Sequence, residues 1–179
     1  MQNDIKYVLV SEEKIDEINN RLGALISKDY QGKQLLVVGL LKGCVPFMSD
    51  LCKKITIPME VEYMSVSSYH GNISSSGDVK IKKDLDISVK DRDILIVEDI
   101  VDTGQTLKTI TELLKYRGAR SVEVATLIDK PEGRVVDFKP KYVGTTIPKE
   151  FVVGYGLDYN ELYRNLPYIG VLKEEIYNK

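Results

Sequence analysis

The sequence predicts an α/β fold with a central, mainly parallel sheet flanked by helices. Three observations carry that prediction. Near-continuous apolar runs, QLLVVGLL at 34–41 and DILIVEDI at 93–100, read as strands buried on both faces, which is how strands of parallel sheets look. Segments with helical spacing alternate with these runs. The length of 179 residues favours one domain with a proper core, with room for a small appendage.

Taken in order, Ser11 followed by Glu12 and Glu13 marks a helix start, with a cap and acids at the positive end of the dipole. Ile15, Ile18, Leu22 and Leu25 recur at helical spacing, and Gly32 ends the stretch. After the 34–41 strand, Pro46 suits the first turn of a second helix running to about Lys54. VEYMSVSSY (61–69) is a further strand. HGNISSSGDVK (70–80) is rich in Gly and Ser and predicts a long mobile loop, beginning at about residue 68. TLKTITELLKYRG (106–118) is an amphipathic helix closed by Gly118, and VEVATLID (122–129) and YVGTTIP (142–148) supply more strands. The N-terminal segment and about 149–179 fit the alternation less well, and are expected to form a small hood over the carboxyl edge of the sheet. No linker separates them, so residues 1–179 read as a single domain. Ligands of such sheets bind beyond the carboxyl ends of the strands, here just after Leu40, Val97 and Leu127.

A formal charge of −2 lacks the basic bias of a general nucleic-acid binder. The leading segment MQNDIKYVLV has no apolar core of a secretion signal, and no apolar run approaches the ~20 residues that cross a bilayer. A cytoplasmic protein is expected, without nucleic-acid or membrane partners. Cys44 and Cys52 lack metal-ligand spacing and His70 is the only histidine, so neither a zinc site nor a Cys/His nucleophile pair is supported. Chemistry must come from carboxylates, lysines, arginines and backbone amides.

VEDIVDTGQTLK (97–108) is the most informative stretch. Two adjacent carboxylates, Glu98 and Asp99, stand where a buried strand ends. Asp102, Thr103, Gly104, Gln105 and Thr106 then lead into a helix. Such a turn presents consecutive N–H groups at a helix N-terminus, a ready anion site. The alternative is an acidic loop that caps a helix, with Asp102 as the N-cap. A Walker loop and a Rossmann fingerprint are both absent.

VEDIVDTGQTL resembles the signature loop of the type I phosphoribosyltransferases. LLKG (40–43), SSYHG (67–71), LIDKP (127–131) and FVVGYGLDYNELYRNLPYIG (151–170) resemble, in the same chain order, the hypoxanthine-guanine phosphoribosyltransferases. The resemblance runs from about Leu35 to about Leu172.

It implies the type I phosphoribosyltransferase fold and a purine-salvage glycosyl transfer. The 5-phosphoribosyl group of phosphoribosyl pyrophosphate would pass to N9 of hypoxanthine or guanine, with pyrophosphate leaving. By that resemblance Asp102–Thr106, Gln105 and Gly104 included, cradle the 5-phosphate. Glu98 and Asp99 hold the ribose hydroxyls and help to place Mg²⁺, and Asp158 contacts a second metal riding on pyrophosphate. Asp102 is the general base, beside purine N7. Lys130 donates to O6 of the base, Phe151 stacks on it, and Val152 and Asp158 read its edge. Lys42 with Gly43, preceded by a non-proline cis peptide, and Arg164 bind pyrophosphate. Ser68 and Tyr69 begin the loop that closes over the reacting centre. A homodimer or homotetramer is implied as well. Segment 132–140 carries no functional pattern.

Two rivals stand beside this reading. A regulator that senses phosphoribosyl pyrophosphate without catalysis would need a basic face or an added module, and would not need Asp102, Lys130 and Asp158 together. A xanthine- or adenine-preferring transferase fits LIDKP and FVVGYGLDY less well.

Overall fold

The structure is a computed structural model and describes residues 1–68 and 79–178. Chain order is β1 (Ile5–Val10), α1 (Glu12–Asp29), β2 (Leu35–Leu41), α2 (Val45–Lys54), β3 (Met59–Ser68), β4 (Val79–Lys83), β5 (Asp93–Val101), α3 (Gln105–Tyr116), β6 (Ser121–Asp129), β7 (Tyr142–Thr146), β8 (Val152–Val153), β9 (Ile169–Leu172) and α4 (Glu174–Tyr177). Short 3-10 turns occupy Gln2–Asp4 and Pro131–Gly133.

Six strands form the central sheet in the order β4-β3-β2-β5-β6-β7. All neighbouring pairs are parallel except β3–β4. The strands β2 and β5 are buried almost throughout, as their apolar runs require. From β2 the chain proceeds outward to β3, and from β5 it proceeds the other way to β6 and β7. The order therefore reverses between β2 and β5, the place where open parallel sheets bind ligands. A second, three-stranded antiparallel sheet has the order β1-β9-β8, joining the N-terminal segment to the C-terminal one.

Two apolar layers cover the central sheet. One packs α1 and α2 on it through Ile15, Ile18, Leu22, Ile26, Phe47 and Leu51. The other packs α3 through Leu107, Ile110 and Leu114. Ser11 caps α1, accepting from the Lys14 amide at 3.2 Å. Leu25, expected on the apolar face of α1, is exposed, and Ile26 is buried in its place. The stripe that faces the sheet is read from Ile15, Ile18, Leu22 and Ile26, and Leu25 falls beside it.

Both ends of the expected loop at 68–80 are strand, and residues 69–78 lie outside the described residues. Val79 and Lys80 belong to β4, an edge strand paired antiparallel with β3, and Ser68 closes β3. Val79 and Ile81 pack on the core while the alternating lysines face outward, a pattern suited to a sheet edge. Tyr69 and His70 lie outside the described residues.

Candidate active site

A cavity of about 440 Å³ opens at the carboxyl ends of β2 and β5, where the strand order reverses. Four segments wall it: Leu40–Gly43 at the end of β2, Val66 and Ser67 of β3, Glu98–Gly104 with Thr106 and Leu107 from the end of β5 into α3, and Asp158 with Arg164 from the C-terminal segment. Ten of the expected site residues thus line one space: Lys42, Gly43, Glu98, Asp99, Asp102, Thr103, Gly104, Thr106, Asp158 and Arg164. Gln105, Lys130, Phe151 and Val152 are not among the residues lining it.

Asp99 is buried, and its carboxylate accepts from the Ile100 amide at 2.7 Å. Its other oxygen lies against Gly43, where a Cβ would overlap it. The loop after β2 can approach the acid pair only because residue 43 has no side chain. Burial pushes the Glu98 carboxyl well above the usual carboxylate range, and the neighbouring Asp99 charge adds to the effect. Burial raises Asp99 too, opposed by its hydrogen bonds and by Arg164. Two carboxylates held together against their own repulsion fit a divalent cation, whose charge offsets that repulsion. Among the described residues no three His, Cys, Asp or Glu side chains gather around one point. The donor set therefore suits Mg²⁺, which keeps water and phosphate ligands and needs only one or two carboxylates.

The turn after β5 is built around Gly104, whose φ of 78° is a left-handed conformation that favours glycine. Gly104 is the N-cap of α3, and no side chain caps the helix. The Gln105 amide donates to Thr103 Oγ1 at 3.4 Å, and the next two amides of α3 have no intrahelical acceptor, as an anion cradle requires. The capping alternative for Asp102 is removed by the same geometry, and its side chain is exposed.

Opposite the acids stands a cationic corner. The Leu41–Lys42 peptide is cis. Lys42 Nζ donates to Glu161 at 2.9 Å. Arg164 donates to the Gly156 carbonyl at 2.7 Å, and its second nitrogen lies 2.8 Å from Asp158. Asp158 also accepts from the Glu161 amide at 2.9 Å.

Lys130, Phe151 and Val152, expected to meet a base, lie outside the lining of this cavity. Lys130 is partly buried and donates to the Glu150 carbonyl at 2.6 Å. Burial lowers its pKa, opposed by the charge of Asp102. Val152 is buried and pairs with Val171 in the smaller sheet. The Phe151 ring, expected to stack on a base, is stacked on Tyr177 at 4.7 Å with 17° between planes, and Tyr159 meets it edge-on. A base must therefore use the other face of Phe151 or displace Tyr177. Sequence reasoning also passed over Glu161. An acid two residues beyond Tyr159, inside the 151–170 motif and close to Arg164, was the available signal.

The model of the phosphoribosyl transferase domain matches residues 10–160. This chain belongs to the phosphoribosyl transferase family. It is 60% identical over 175 residues to a hypoxanthine-guanine phosphoribosyltransferase of Lactococcus lactis, covering 98% of this chain and 95% of that one. It is 58% identical over 178 residues to the protein of that name from Staphylococcus aureus, covering 99% of each. A crystal structure of a hypoxanthine phosphoribosyltransferase from Staphylococcus aureus superposes with a TM-score of 0.97 at 57% identity, covering 100% of this chain and 97% of that one. A phosphoribosyl transferase fold thus brings the acids Glu98 and Asp99, the cations Lys42 and Arg164 and the turn at Gly104 to one cavity.

Proposed function

We propose that this chain transfers the 5-phosphoribosyl group of phosphoribosyl pyrophosphate to N9 of hypoxanthine or guanine, giving IMP or GMP and pyrophosphate. The observation that carries the reading is one cavity shared by Glu98, Asp99, Asp102–Gly104, Thr106, Lys42, Gly43, Asp158 and Arg164. The names of relatives at 58–60% identity support the choice of base.

In this mechanism the turn Asp102–Thr106 binds the 5-phosphate through the free amides at the start of α3 and the hydroxyls of Thr103 and Thr106. Glu98 and Asp99 accept from the ribose hydroxyls. Lys42 and Arg164 take up the charge of the departing pyrophosphate, with Gly43 leaving the loop close enough to do so. Glu98 and Asp99 would help to hold one Mg²⁺ and Asp158 would contact a second metal that accompanies the pyrophosphate, and the ions would supply charge neutralisation there. As the bond from C1 to the pyrophosphate oxygen breaks and the bond to N9 forms, Asp102 takes or shares the proton at N7. No covalent enzyme intermediate is needed, and the residues act by placing two reactants and stabilising separated charge. Lys130 donates to O6 of the base. A buried donor facing a 6-amino group would be mismatched, so adenine is rejected. Phe151 and Val152 border the base. Ser68 and Tyr69 belong to the segment that would exclude water.

The same reading makes the chain a cytoplasmic homodimer or homotetramer that acts on small molecules, with neither nucleic acid nor membrane as partner. The deciding experiment measures pyrophosphate release with Mg²⁺, phosphoribosyl pyrophosphate and each of hypoxanthine, guanine, xanthine and adenine. Release with hypoxanthine and guanine but not adenine is expected. Binding of phosphoribosyl pyrophosphate without release from any base would instead indicate a sensor.

A further inference from the structure

The turn that bears Asp102 is clasped by the segment after β6, of which the mechanism above uses only Lys130. The strands β5 and β6 are parallel neighbours that end side by side, with Val101 opposite Asp129. Their following loops run on together. The Lys130 amide donates to the Val101 carbonyl at 2.9 Å, and the Val135 amide to the Thr103 carbonyl at 3.1 Å. Between those two bonds, Arg134 donates one guanidinium nitrogen to the Asp102 carbonyl and the other to the Asp129 carboxylate. Both side chains of the Arg134–Asp129 pair are only 13% exposed. The Arg134 Cδ lies 2.9 Å from where a Cβ on Gly104 would stand, so it also fills the space beside that turn. Next to it, Gly133 abuts the Asp102 side chain, and a Cβ at residue 133 would overlap Asp102 Oδ1.

From these contacts we infer that Gly133 and Arg134 are positioning residues for the general base: Arg134 pins the Asp102 main chain, and the bare Cα of Gly133 leaves room for its carboxylate. The inference rests on the reading of Asp102 given above. An exposed carboxylate beside a turn has several rotamers open to it, and packing from the neighbouring loop restricts them. The planar fork of Arg134 reaches two acceptors at fixed separation, one on each of the two strand ends, which an ammonium cannot do. The clasp thus transmits the register of β6 to the turn after β5.

Four variants test this beside Asp102→Asn, each assayed with saturating hypoxanthine and with its melting temperature recorded. Gly133→Ala displaces only the tip of Asp102, so its kcat is expected to fall about 10- to 100-fold while KM for phosphoribosyl pyrophosphate stays within about threefold. In the double variant Gly133→Ala with Asp102→Asn the loss should be no greater than for Asp102→Asn alone, because both act through one carboxylate. Arg134→Ala should lose kcat and gain KM, with partial recovery on adding guanidinium and none in Arg134→Lys. Parent-like kcat in Gly133→Ala, or additive losses in the double variant, overturns the inference for Gly133. Failure of guanidinium to restore an Arg134→Ala protein of unchanged melting temperature overturns it for Arg134. Full activity in Asp102→Asn would instead count against the base assignment itself.

Discussion

One carboxylate oxygen of Glu161 lies 2.9 Å from Lys42 Nζ and 3.3 Å from an Arg164 nitrogen. The two cations assigned to pyrophosphate are therefore already bridged by an internal acid. The Lys42 hydrogen bond, followed by that of Arg164, holds the Glu161 carboxyl below its ordinary range. On the proposed reading, pyrophosphate replaces this acid. Glu161→Gln is expected to tighten pyrophosphate by about two- to fivefold, the modest gain that exposed ion pairs allow. Product inhibition by pyrophosphate measures it, and inhibition unchanged at low and high salt would show that Glu161 does not compete.

Asp102→Asn should slow turnover by about 100-fold or more, within the usual range for loss of a general base. Its affinity for phosphoribosyl pyrophosphate should persist, since the proposed reading gives the 5-phosphate to amides and hydroxyls of the same turn. Single-turnover rates and equilibrium binding separate the two. A fall in affinity with an unchanged chemical step would reassign Asp102 to binding.

Lys130→Ala should narrow the preference for hypoxanthine over adenine by about tenfold or more, because a site built around a donor discriminates through the unpaired group it would otherwise bury. The ratio of kcat/KM values for the two bases is the readout. A variant as selective as the parent would shift the selecting role to backbone near Val152.

Glu98→Gln should raise the melting temperature of the ligand-free protein at neutral pH. The folded pKa of Glu98 lies above its unfolded value, so ionisation penalises the fold. That penalty is absent below the unfolded pKa, grows as pH rises, and is complete above the folded pKa. The advantage of the variant should accordingly fade on acidification. Each 1 kcal/mol recovered appears as about 2–4 °C in a chain of this size. Melting curves in the presence of a chelator across pH check this, and a variant less stable than the parent at neutral pH would contradict it.

Much of the central sheet was legible because its signals are local. The runs at 34–41 and 93–100 need only be apolar to mark strands buried on both faces, and both are strands in the structure. The edge strand β4 was hidden because VKIKK alternates lysine with apolar residues beside a Gly- and Ser-rich stretch. Edge strands carry such charges to discourage further pairing, and the same charges make them read as loop. The position of Leu25 was misjudged for a related reason. Helical spacing admits both Leu25 and Ile26, and only the direction of the sheet chooses between them.

By itself the sequence determined the alternation of strands and helices, the acid pair near the end of β5 and the glycine turn into α3, since each depends on neighbours within a few residues. Only the tertiary structure decided that Lys42 would meet Glu161, 119 residues away, and that Arg134 would reach back to Asp102 across 32. It also decided that β9 would lie between β1 and β8, joining the two ends of the chain. Those contacts follow from the order of strands in a sheet, which brings the loops at one edge together whatever their separation in the chain. No local pattern of residues encodes which loops those will be.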